Sequence, residues 1–433
     1  LYLCGLKQLA PHLKMNPIYD AALSLGRLLA LLTARLGLPL KNSKLRKFAE
    51  GQRHILRNIQ ERFGEKGEKP VIWIHAASLG EYGVARPVIR HLAEKGQHRI
   101  VLTFFSPTGY EALKDRHDGI DCVFYLPLDT RRNARAFLDI IQPDKAVFII
   151  SEYWLNYLEQ LRMRSIPTFL ISAVITRRAP FFRWYGAPYR KALRTYRTIT
   201  VLNEESRSNL ESLGFTGAAV TGDPLFDNVA AAAATPYSNP LIERFTASAD
   251  GRVFIAGSTS DINDTILATT LANRNPDIKF LIVPHEISPE VISSITLRLD
   301  GKAVRYSECA PDQDFKDTQT LIVDFVGALA YLYRYARWAY VGGGFTPLLH
   351  NVIEATVYGL PVSFGPMIER KTVPGELISL GLGQVVRTPE DIIGWFRPLK
   401  DDTELLSSIR TSATAYTAGK CGAAGTIAEL LGQ

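Results

Sequence analysis

Short runs of β-branched and aromatic residues alternate with helical patterns from residue 71 onward. Such alternation is typical of βαβ units, so it predicts parallel sheets covered by helices. The first series contains six predicted strands: Val71–Ala76, Arg99–Phe105, Cys122–Leu126, Lys145–Ile150, Thr168–Ser172 and Thr198–Leu202. The second series contains six more: Arg252–Gly257, Lys279–Pro284, Ala303–Tyr306, Thr320–Asp324, Trp338–Gly342 and Pro361–Phe364.

A length of 433 residues favours more than one domain. The stretch Ala230–Pro240 starts with an alanine run, continues with turn-forming residues and separates the two series, so it predicts a linker. Two doubly wound domains joined by one linker describe the α/β GT-B glycosyltransferase fold. We therefore expect two Rossmann-like domains that face a central cleft.

The charge balance favours anionic partners. The formal net charge is +7, which suits phosphorylated lipids, nucleotides or nucleic acid, although an unspecialised basic surface fits equally well. Four cysteines lie far apart without a CxxC spacing, at Cys4, Cys122, Cys309 and Cys421. This spacing indicates neither a zinc site nor a disulfide framework, and a reducing cytoplasmic setting is the simplest interpretation.

The N-terminal region is rich in leucine but also charged. Asp20, Arg27 and Arg35 interrupt the apolar stretch Ile18–Leu40, which argues against a membrane-spanning helix. A basic run follows it at Lys41, Lys44, Arg46 and Lys47. An amphipathic helix at a membrane interface and a helix packed on its own domain both fit this pattern. A signal peptide is a weaker alternative, because no cleavage-site pattern follows the apolar stretch.

The segment Val71–Gly83 is a buried-strand run that breaks into small residues and places Glu81 at a helix start. Ligands of open α/β sheets bind at the carboxyl edge, where this strand ends. Glu81 could therefore act there as a general base. Ser78 and Glu81 also match the capping-box spacing S-x-x-E, so a purely structural role stays open.

A second carboxylate, Glu152, follows the strand Lys145–Ile150. If the two strands are neighbours, Glu81 and Glu152 face the same cleft; the alternative is a first-turn residue favoured by the helix dipole. Aromatic residues near Glu152 could stack against a sugar ring, but such residues more often pack in the hydrophobic core. A basic cluster could meet acceptor phosphates or simply be solvated, and it comprises Arg177, Arg178, Arg183, Arg190, Lys191 and Arg194.

The second series carries features of a nucleotide site. Backbone amides at Gly257, Ser258 and Thr259 could hold a phosphate at a helix start. A glycine turn with Gly343 and Gly344 would admit a close backbone approach. Asn351 and Glu354 share a helix face, where the carboxylate could accept both ribose hydroxyls. Further strand or loop ends could frame a base: Pro284, His285 and Val326–Ala328.

Taken together, these residues resemble the 3-deoxy-D-manno-octulosonic acid (Kdo) transferase family, which transfers Kdo from CMP-Kdo to a lipid A precursor. Two sequence segments, Phe105–Tyr110 and Trp184–Gly186, resemble those of the Bacteroidetes branch of this family. Nine ordered motifs over most of the chain carry the resemblance: His75–Glu81, Ser151–Asn156, Asn203–Glu205, Ala256–Thr259, Pro284–His285, Asp324–Gly327, Gly342–Gly344, His350–Glu354 and Gly365–Pro366.

The resemblance implies an inverting enzyme that needs no cofactor or catalytic metal. It makes Glu81 the general base and Glu152 a transition-state-stabilising carboxylate. It implies an N-terminal membrane-associating region at 1–48, an acceptor-binding domain at 49–235 and a CMP-sugar-binding domain at 236–433. The implied partners are CMP-Kdo, a lipid A precursor and the anionic cytoplasmic face of the inner membrane, without nucleic acid. The implied CMP contacts are Pro284, His285, Val326, Gly327, Ala328, Asn351, Val352, Ile353 and Glu354.

The chain departs from the family pattern at three places. Leu225 stands where the family usually has Lys or Arg, Ala328 stands where it has an acidic residue, and Thr346–Leu349 replaces a glycine-containing link. Another cation could substitute for the one at 225, and the candidates are Arg177, Arg178 and Lys371. Two alternatives to Kdo transfer therefore stay open: a catalytically impaired nucleotide-binding homologue, and a GT-B enzyme that uses a UDP-sugar.

Overall fold

The computed structural model describes residues 43–115, 118–369 and 371–432. The chain divides into two compact units. The first unit contains the residues up to Asn228 together with Gly422–Gln433, and the second contains Val229–Cys421. An amphipathic region was predicted at 1–48, and residues 1–42 of it lie outside the described part of the chain. Across the described ranges, every helix is too short or too polar to cross a bilayer.

The first unit is built on a seven-stranded parallel sheet with the order β3-β2-β1-β4-β5-β6-β7. All six strands predicted for this series are present, and a short edge strand is added. The strands are β1 (Val71–His75), β2 (Arg99–Phe104), β3 (Cys122–Tyr125), β4 (Lys145–Ile149), β5 (Thr168–Ala173), β6 (Tyr196–Val201) and β7 (Ala218–Val220).

Helices cover both faces of this sheet, as a parallel sheet requires. The apolar side chains of β1 alternate between two clusters, with Trp73 on one face and Ile72 and Ile74 on the other. The helices are α1 (Ser43–Gly51), α2 (Ile55–Phe63), α3 (Leu79–Lys95), α4 (Pro107–Leu113), α5 (Arg131–Ile141), α6 (Leu155–Met163), α7 (Ala187–Leu193), α8 (Glu204–Glu211) and α9 (Leu225–Ala234). A 3₁₀ turn lies at Pro180–Phe182.

The second unit also contains a seven-stranded parallel sheet, with the order β10-β11-β9-β8-β12-β13-β14. The six predicted strands are present and again one short edge strand is added. The strands are β8 (Val253–Thr259), β9 (Lys279–Pro284), β10 (Ala303–Arg305), β11 (Thr320–Ile322), β12 (Trp338–Val341), β13 (Val362–Phe364) and β14 (Gly383–Val385). The predicted pair of doubly wound sheets is therefore confirmed.

The second unit buries one large apolar cluster in which Phe254, Phe280 and Trp338 are nearly inaccessible to solvent. Its helices are α10 (Pro240–Ala247), α11 (Ile262–Arg274), α12 (Pro289–Thr296), α13 (Leu329–Leu332), α14 (Ile353–Thr356), α15 (Thr372–Ser379), α16 (Pro389–Asp401) and α17 (Thr403–Lys420). Two 3₁₀ turns lie at Tyr306–Glu308 and Tyr333–Tyr335. The last helix, α18 (Ala423–Gly432), belongs to the first unit.

Three details of the predicted organisation differ from the structure. The alanine run predicted as part of a linker continues α9 as far as Ala234, because alanine has the highest helix propensity of all residues. The division between the units falls after Asn228, inside this helix, rather than at 235. Helix α18 was predicted within the domain 236–433, but Ala424, Ile427 and Leu431 are buried in an apolar cluster of the first unit.

Candidate active site

The structure brings Glu81 and Glu152 together at one edge of the first sheet. Strands β1 and β4 are hydrogen-bonded neighbours, with His75 opposite Phe148, although the chain between them forms two further strands. The strand order reverses between β1 and β4. In doubly wound sheets, such a switch point opens a crevice at the carboxyl ends of the strands, where ligands bind.

Glu81 caps helix α3 and also faces a second carboxyl group. The Ser78 hydroxyl accepts a hydrogen bond from the Glu81 amide at 3.4 Å, and the Glu81 carboxylate accepts one from the Ala77 amide. Burial, followed by the charge of Glu152, raises the pKa of Glu81 to about 8. The capping interpretation is thus confirmed, and it does not exclude proton exchange near neutral pH.

Glu152 lies in the loop between β4 and α6. The interpretation as a first-turn residue is wrong, because α6 begins at Leu155 and Trp154 is its N-cap residue. The Trp154 indole donates a hydrogen bond to the Glu152 carboxylate. The hydroxyl of Tyr196 donates another to the Glu152 carbonyl at 2.7 Å. Contacts on both the side chain and the backbone therefore fix Glu152 beside Glu81.

The backbone just before Glu152 is strained. Ile150 has φ of +64°, which is unusual for a β-branched residue because its side chain crowds the backbone there. Its amide donates to the Ile171 carbonyl at 2.8 Å, which holds the loop against β5. Strain of this kind persists only where the surrounding structure enforces it. The turn redirects the chain between the strand end and Glu152.

His75 is a neighbour of Glu152 that sequence reasoning did not single out. Its side chain is fully buried, and Nε2 lies 3.6 Å from a Glu152 carboxylate oxygen. Thr103 Oγ1 accepts from Trp73 Nε1 at 2.9 Å and lies 2.9 Å from His75 Nδ1. The Ile74 carbonyl lies 3.5 Å from Thr103 Oγ1, farther than His75 Nδ1. When the threonine proton goes to Nδ1, the imidazole proton is on Nε2, facing Glu152. A histidine that ends an otherwise apolar strand is the sequence signal.

Leu225, at the position where the resemblance leads us to expect a cation, packs against an apolar cluster of the first unit. A Cβ atom built on Gly83 would lie 3.7 Å from Leu225 Cδ1, so the leucine covers the first turns of α3. The candidate replacements Arg177 and Arg178 are exposed on the loop after β5. Where the family pattern has a cation, this chain therefore has a leucine that makes apolar contacts.

The second sheet has its own switch point, between β8 and β12, and the carboxylate there is Asp264. Sequence reasoning did not identify this residue. Asp264 accepts hydrogen bonds from the Ser260 amide at 2.8 Å, the Gly343 amide at 2.9 Å and the Tyr340 hydroxyl at 2.5 Å. Because the Gly343 amide is occupied in this way, a phosphate at this position would need another donor.

The glycines after β12 are required by the packing of the chain itself. A Cβ atom on Gly342 would lie 2.2 Å from the Ser258 carbonyl, and one on Gly344 would lie 2.6 Å from the Gly365 amide. These distances are far below van der Waals contact. The loops after β8, β12 and β13 therefore meet at these glycines, so close ligand approach is not needed to explain them.

The side chains of Asn351 and Glu354 are in contact, although Asn351 precedes α14 and does not share a helix face with Glu354 as predicted. Asn351 accepts from the Ile353 amide at 3.1 Å and donates to the Glu354 carboxylate at 3.2 Å, whereas Val352 and Ile353 are buried. Burial raises the pKa of Glu354, and the Asn351 hydrogen bond opposes this shift. The predicted ribose acceptor is thus oriented by its neighbour.

A cluster of basic groups stands beside this helix. Pro284 ends β9, and the ring of His285, the next residue, lies 4.5 Å from the ring of His350, centroid to centroid. Lys371 donates to the Leu349 carbonyl. Burial, then His285 and Lys371, lowers the pKa of His350 to about 4. The Lys371 ammonium supplies positive charge in this cluster, which suits an anion.

Two other predicted sites have different surroundings. Gly257 and Ser258 lie in the last part of β8, and Thr259 ends it beside a cavity of about 260 Å³ whose lining includes Asp261, Glu286 and Glu290. Three carboxylates would repel a phosphate there. In the loop before α13, Val326 is exposed, Gly327 has φ of +91° and Ala328 is buried. Within the described ranges, no three His, Cys, Asp or Glu side chains are placed to hold a metal ion.

Comparisons with known proteins agree with the fold and with the first unit. Residues 57–228 match the family model of 3-deoxy-D-manno-octulosonic-acid transferase (kdotransferase). A curated 3-deoxy-D-manno-octulosonic acid transferase of Bordetella pertussis is 27% identical over 386 residues, which are 84% of this chain and 88% of the relative. One from Aquifex aeolicus is 25% identical over 321 residues, covering 73% of this chain and 81% of the relative.

Two solved structures support the fold. UDP-GlcNAc 2-epimerase from Neisseria meningitidis aligns with a TM-score of 0.60 at 17% identity, over 84% of this chain and all of the other. MurG from Acinetobacter baumannii aligns with a TM-score of 0.51 at 15% identity, over 84% and 99%. Both comparisons indicate the GT-B type of fold. Together with the family model and the curated relatives, they support a 3-deoxy-D-manno-octulosonic acid transferase with this fold.

Proposed function

We propose that this protein transfers Kdo from CMP-Kdo to a hydroxyl group of a lipid A precursor. The observation that carries the proposal is the pair Glu81 and Glu152 at the switch point of the first sheet, in a chain that matches the model of this family. A carboxyl group whose pKa lies near the working pH is well matched to general base catalysis. Glu81, with a pKa of about 8, meets that condition.

In the proposed reaction, Glu81 removes the proton from the acceptor hydroxyl. The resulting oxygen nucleophile forms a bond to the anomeric carbon of Kdo while the bond from that carbon to the CMP phosphate breaks. Direct displacement inverts the configuration at this carbon. The electron pair of the broken bond leaves with CMP, and Glu81 then returns its proton to water. The proposal assigns no step to a metal.

Glu152 and His75 control the charge around the base. The carboxyl groups of Glu81 and Glu152 share a hydrogen bond, so the pair retains one proton more readily than an isolated carboxylate does. His75 does not touch the substrate in this proposal. Its Nε2 proton faces Glu152 and stabilises negative charge there, which makes His75 a positioning residue. Glu81 can accept a proton from the acceptor hydroxyl only after the proton that it shares with Glu152 has left.

The donor nucleotide is assigned to the second unit. Glu354 accepts the ribose hydroxyls, with Asn351 orienting it, and the backbone of Val326–Ala328 frames the base. The phosphate lies near His285 and Lys371, and the Lys371 ammonium would stabilise the departing group. Lys371 in this way supplies the cation that Leu225 cannot. The support for this assignment is the cluster of His285, His350 and Lys371 beside α14.

The base assignment is tested by measuring Kdo transfer from CMP-Kdo to a lipid A precursor by Glu81→Gln. We expect the rate to fall by about 10²-fold or more, while titration calorimetry shows unchanged CMP affinity, because a base acts on the transition state. Glu94→Gln, on the exposed side of the same helix, is the matched control. A Glu81→Gln enzyme with the wild-type rate would refute the assignment.

The replacement of a cation by Leu225 makes an impaired, nucleotide-binding homologue a competing proposal. The discriminating measurement combines titration with CMP and UMP and a turnover assay. Lys371→Met should weaken CMP binding about tenfold, the scale of one phosphate contact, whereas Lys302→Met, exposed in the same unit, should not. CMP binding without turnover would favour the impaired homologue, and a preference for UMP would favour a UDP-sugar enzyme.

A lipid acceptor places the reaction at a membrane. We therefore propose that the protein works at the cytoplasmic face of the inner membrane, either as a peripheral protein or anchored by its N-terminal region. The proposal rests on the nature of the acceptor and on the excess of cations, because 50 Lys and Arg face only 43 Asp and Glu in the whole chain. Anionic lipid headgroups attract such a surface.

A further inference from the structure

One part of the first unit combines exposed aromatic residues with an unusual excess of cations. Between Gln160 and Asn203 the sequence contains no acidic residue. The cations in this stretch are Arg162, Arg164, Arg177, Arg178, Arg183, Arg190, Lys191, Arg194 and Arg197. Like charges concentrated in one region repel each other unless an anionic partner lies against them.

The loop between β5 and α7, residues 174–186, carries the aromatic residues, and we call it the edge loop. The side chain of Trp184 is 92% exposed and that of Tyr185 is 51% exposed. Their rings contact each other edge to face, with centroids 5.5 Å apart. Tryptophan is rarely left in water in this way, because burying its ring is strongly favourable.

The edge loop is held firmly, so the exposure of Trp184 is built into the fold. The Arg190 guanidinium donates to the carbonyls of Phe181 at 2.6 Å and Arg183 at 3.3 Å. Phe181 is fully buried. A Cβ atom on Gly186 would lie 2.2 Å from the Pro180 carbonyl, so only glycine lets the loop close this tightly.

The arginines of the edge loop are available for an external partner. Arg177, Arg178 and Arg183 are exposed, and no carboxylate of the described chain lies within ion-pair distance of any of them. Arg177 stacks over the ring of Phe182 at 5.0 Å, which directs apolar and cationic groups to the same surface. Aromatic rings flanked by arginines are the composition that binds the interface of an anionic bilayer.

The edge loop also adjoins the carboxylate pair. It leaves the sheet at the carboxyl end of β5, the edge that carries Glu152. The rings of Phe181 in the loop and Tyr153 next to Glu152 pack edge to face at 4.9 Å. A lipid acceptor held in a bilayer must bring its headgroup to this edge. A bilayer contact on the edge loop would place the headgroup layer beside Glu81 and Glu152.

We propose that the edge loop is a membrane-docking surface, with Trp184 and Tyr185 inserted at the headgroup level of an anionic bilayer and Arg177, Arg178 and Arg183 bound to lipid phosphates. The proposal rests on the proposed function for its choice of a lipid partner. Each arginine near an anionic surface strengthens the binding of the protein to that surface. The docking surface belongs to the first unit alone.

The first test uses the full chain and vesicles of phosphatidylcholine with 30% phosphatidylglycerol, some of them carrying brominated acyl chains. Trp184 is the most exposed of five tryptophans, so bromine should quench a component of the fluorescence that is absent from Trp184→Phe. The triple change Arg177→Gln, Arg178→Gln, Arg183→Gln should weaken vesicle binding about tenfold or more. The charge-matched control is Arg274→Gln, Lys302→Gln, Arg387→Gln. Equal quenching of wild type and Trp184→Phe would overturn the proposal.

The second test separates docking from catalysis. Transfer is measured with an acceptor held in these vesicles and with a deacylated, water-soluble acceptor. The double change Trp184→Ser, Tyr185→Ser should reduce transfer to the vesicle-held acceptor about tenfold and leave the soluble acceptor unaffected. Leu297→Ser, exposed in the second unit, is the control. Equal loss with both acceptors would overturn docking. If wild type transfers Kdo to neither acceptor, the proposed function fails, whereas the quenching result still decides docking.

Discussion

The two sheets have the same reversal of strand order, yet the carboxylates at their switch points are held in opposite ways. Asp264, in the second unit, is surrounded by donors: two backbone amides and the Tyr340 hydroxyl. Glu81, in the first unit, faces another carboxyl group, that of Glu152. The same location in the fold therefore holds a carboxylate surrounded by donors in one unit and a pair of carboxyl groups in the other.

The difference teaches that the partners of a carboxylate, rather than its place in the sheet, decide its use. Removing a carboxylate that is surrounded by donors leaves those donors unsatisfied. A carboxylate beside a like charge is costly to ionise but exchanges its proton readily. Four measurements can break or sharpen this contrast.

The largest expected effect is the loss of Asp264. Asp264→Ala leaves buried amide and hydroxyl donors without a partner, so we expect unfolding of the second unit to become easier by about 3 kcal/mol or more. Glu81→Ala should cost less than about 1 kcal/mol, because loss of a cap is offset by relief of repulsion. Urea unfolding measures both, with Asn263→Ala as the control on α11. A small effect of Asp264→Ala on the free energy of unfolding would contradict a structural role for Asp264.

Removing the like charge should change the pH dependence of transfer. In wild type, activity should rise with pH through a midpoint near 8, the pKa of Glu81. Glu152→Gln should lower this midpoint by about one unit or more, because the repulsive charge is gone. The pH–rate profile of the residual activity measures it, with Glu94→Gln as the control. An unchanged midpoint would mean that burial alone raises the pKa.

The imidazole of His75 should have a smaller effect in the other direction. His75→Phe removes the Nε2 proton that faces Glu152, so the doubly ionised pair loses stabilisation and the midpoint should rise by less than about one unit. Thr103→Val should act the same way, because it removes the partner of Nδ1. A downward shift in both variants would show that the proton lies on Nδ1 instead.

The smallest effect concerns stability. The pKa of Glu81 in the folded protein, about 8, is above its ordinary value of 4.5, so the folded state binds this proton more tightly than the unfolded state does. The associated stability is complete below pH 4.5 and is lost as the pH rises through 8. Glu81→Gln should therefore raise the Tm by several degrees at pH 9 and leave it unchanged at pH 4. Calorimetry of the unfolding transitions checks this, and an equal shift at both pH values would contradict it.

The sequence predicts most of the fold because buried parallel strands are continuous apolar runs. The strands that it does not predict, Ala218–Val220 and Gly383–Val385, are edge strands of three residues, too short to show a pattern. The alanine run misleads for a related reason. A run of small residues is typical of a linker, but alanine also has a high helix propensity.

The candidate site is predictable where the signal is local. Glu81 follows a strand end and a cap motif, and Asn351 and Glu354 are three residues apart. The roles of His75 and Asp264 depend on distant partners: Thr103 lies 28 residues from His75, and Gly343 lies 79 residues from Asp264. No spacing rule connects such pairs, so only the folded chain reveals them.

Helix α18 has a consequence for how the protein is made. It packs in the cluster that contains residues of α3, the helix of Glu81, and Lys145 donates to the Leu431 carbonyl at 2.6 Å. Along the sequence, the whole second unit precedes α18, which then packs against the first unit. During synthesis, the second unit can therefore fold on the emerging chain while the core of the first unit still lacks its last helix. The half that carries the carboxylate pair is assembled last, although it is translated first.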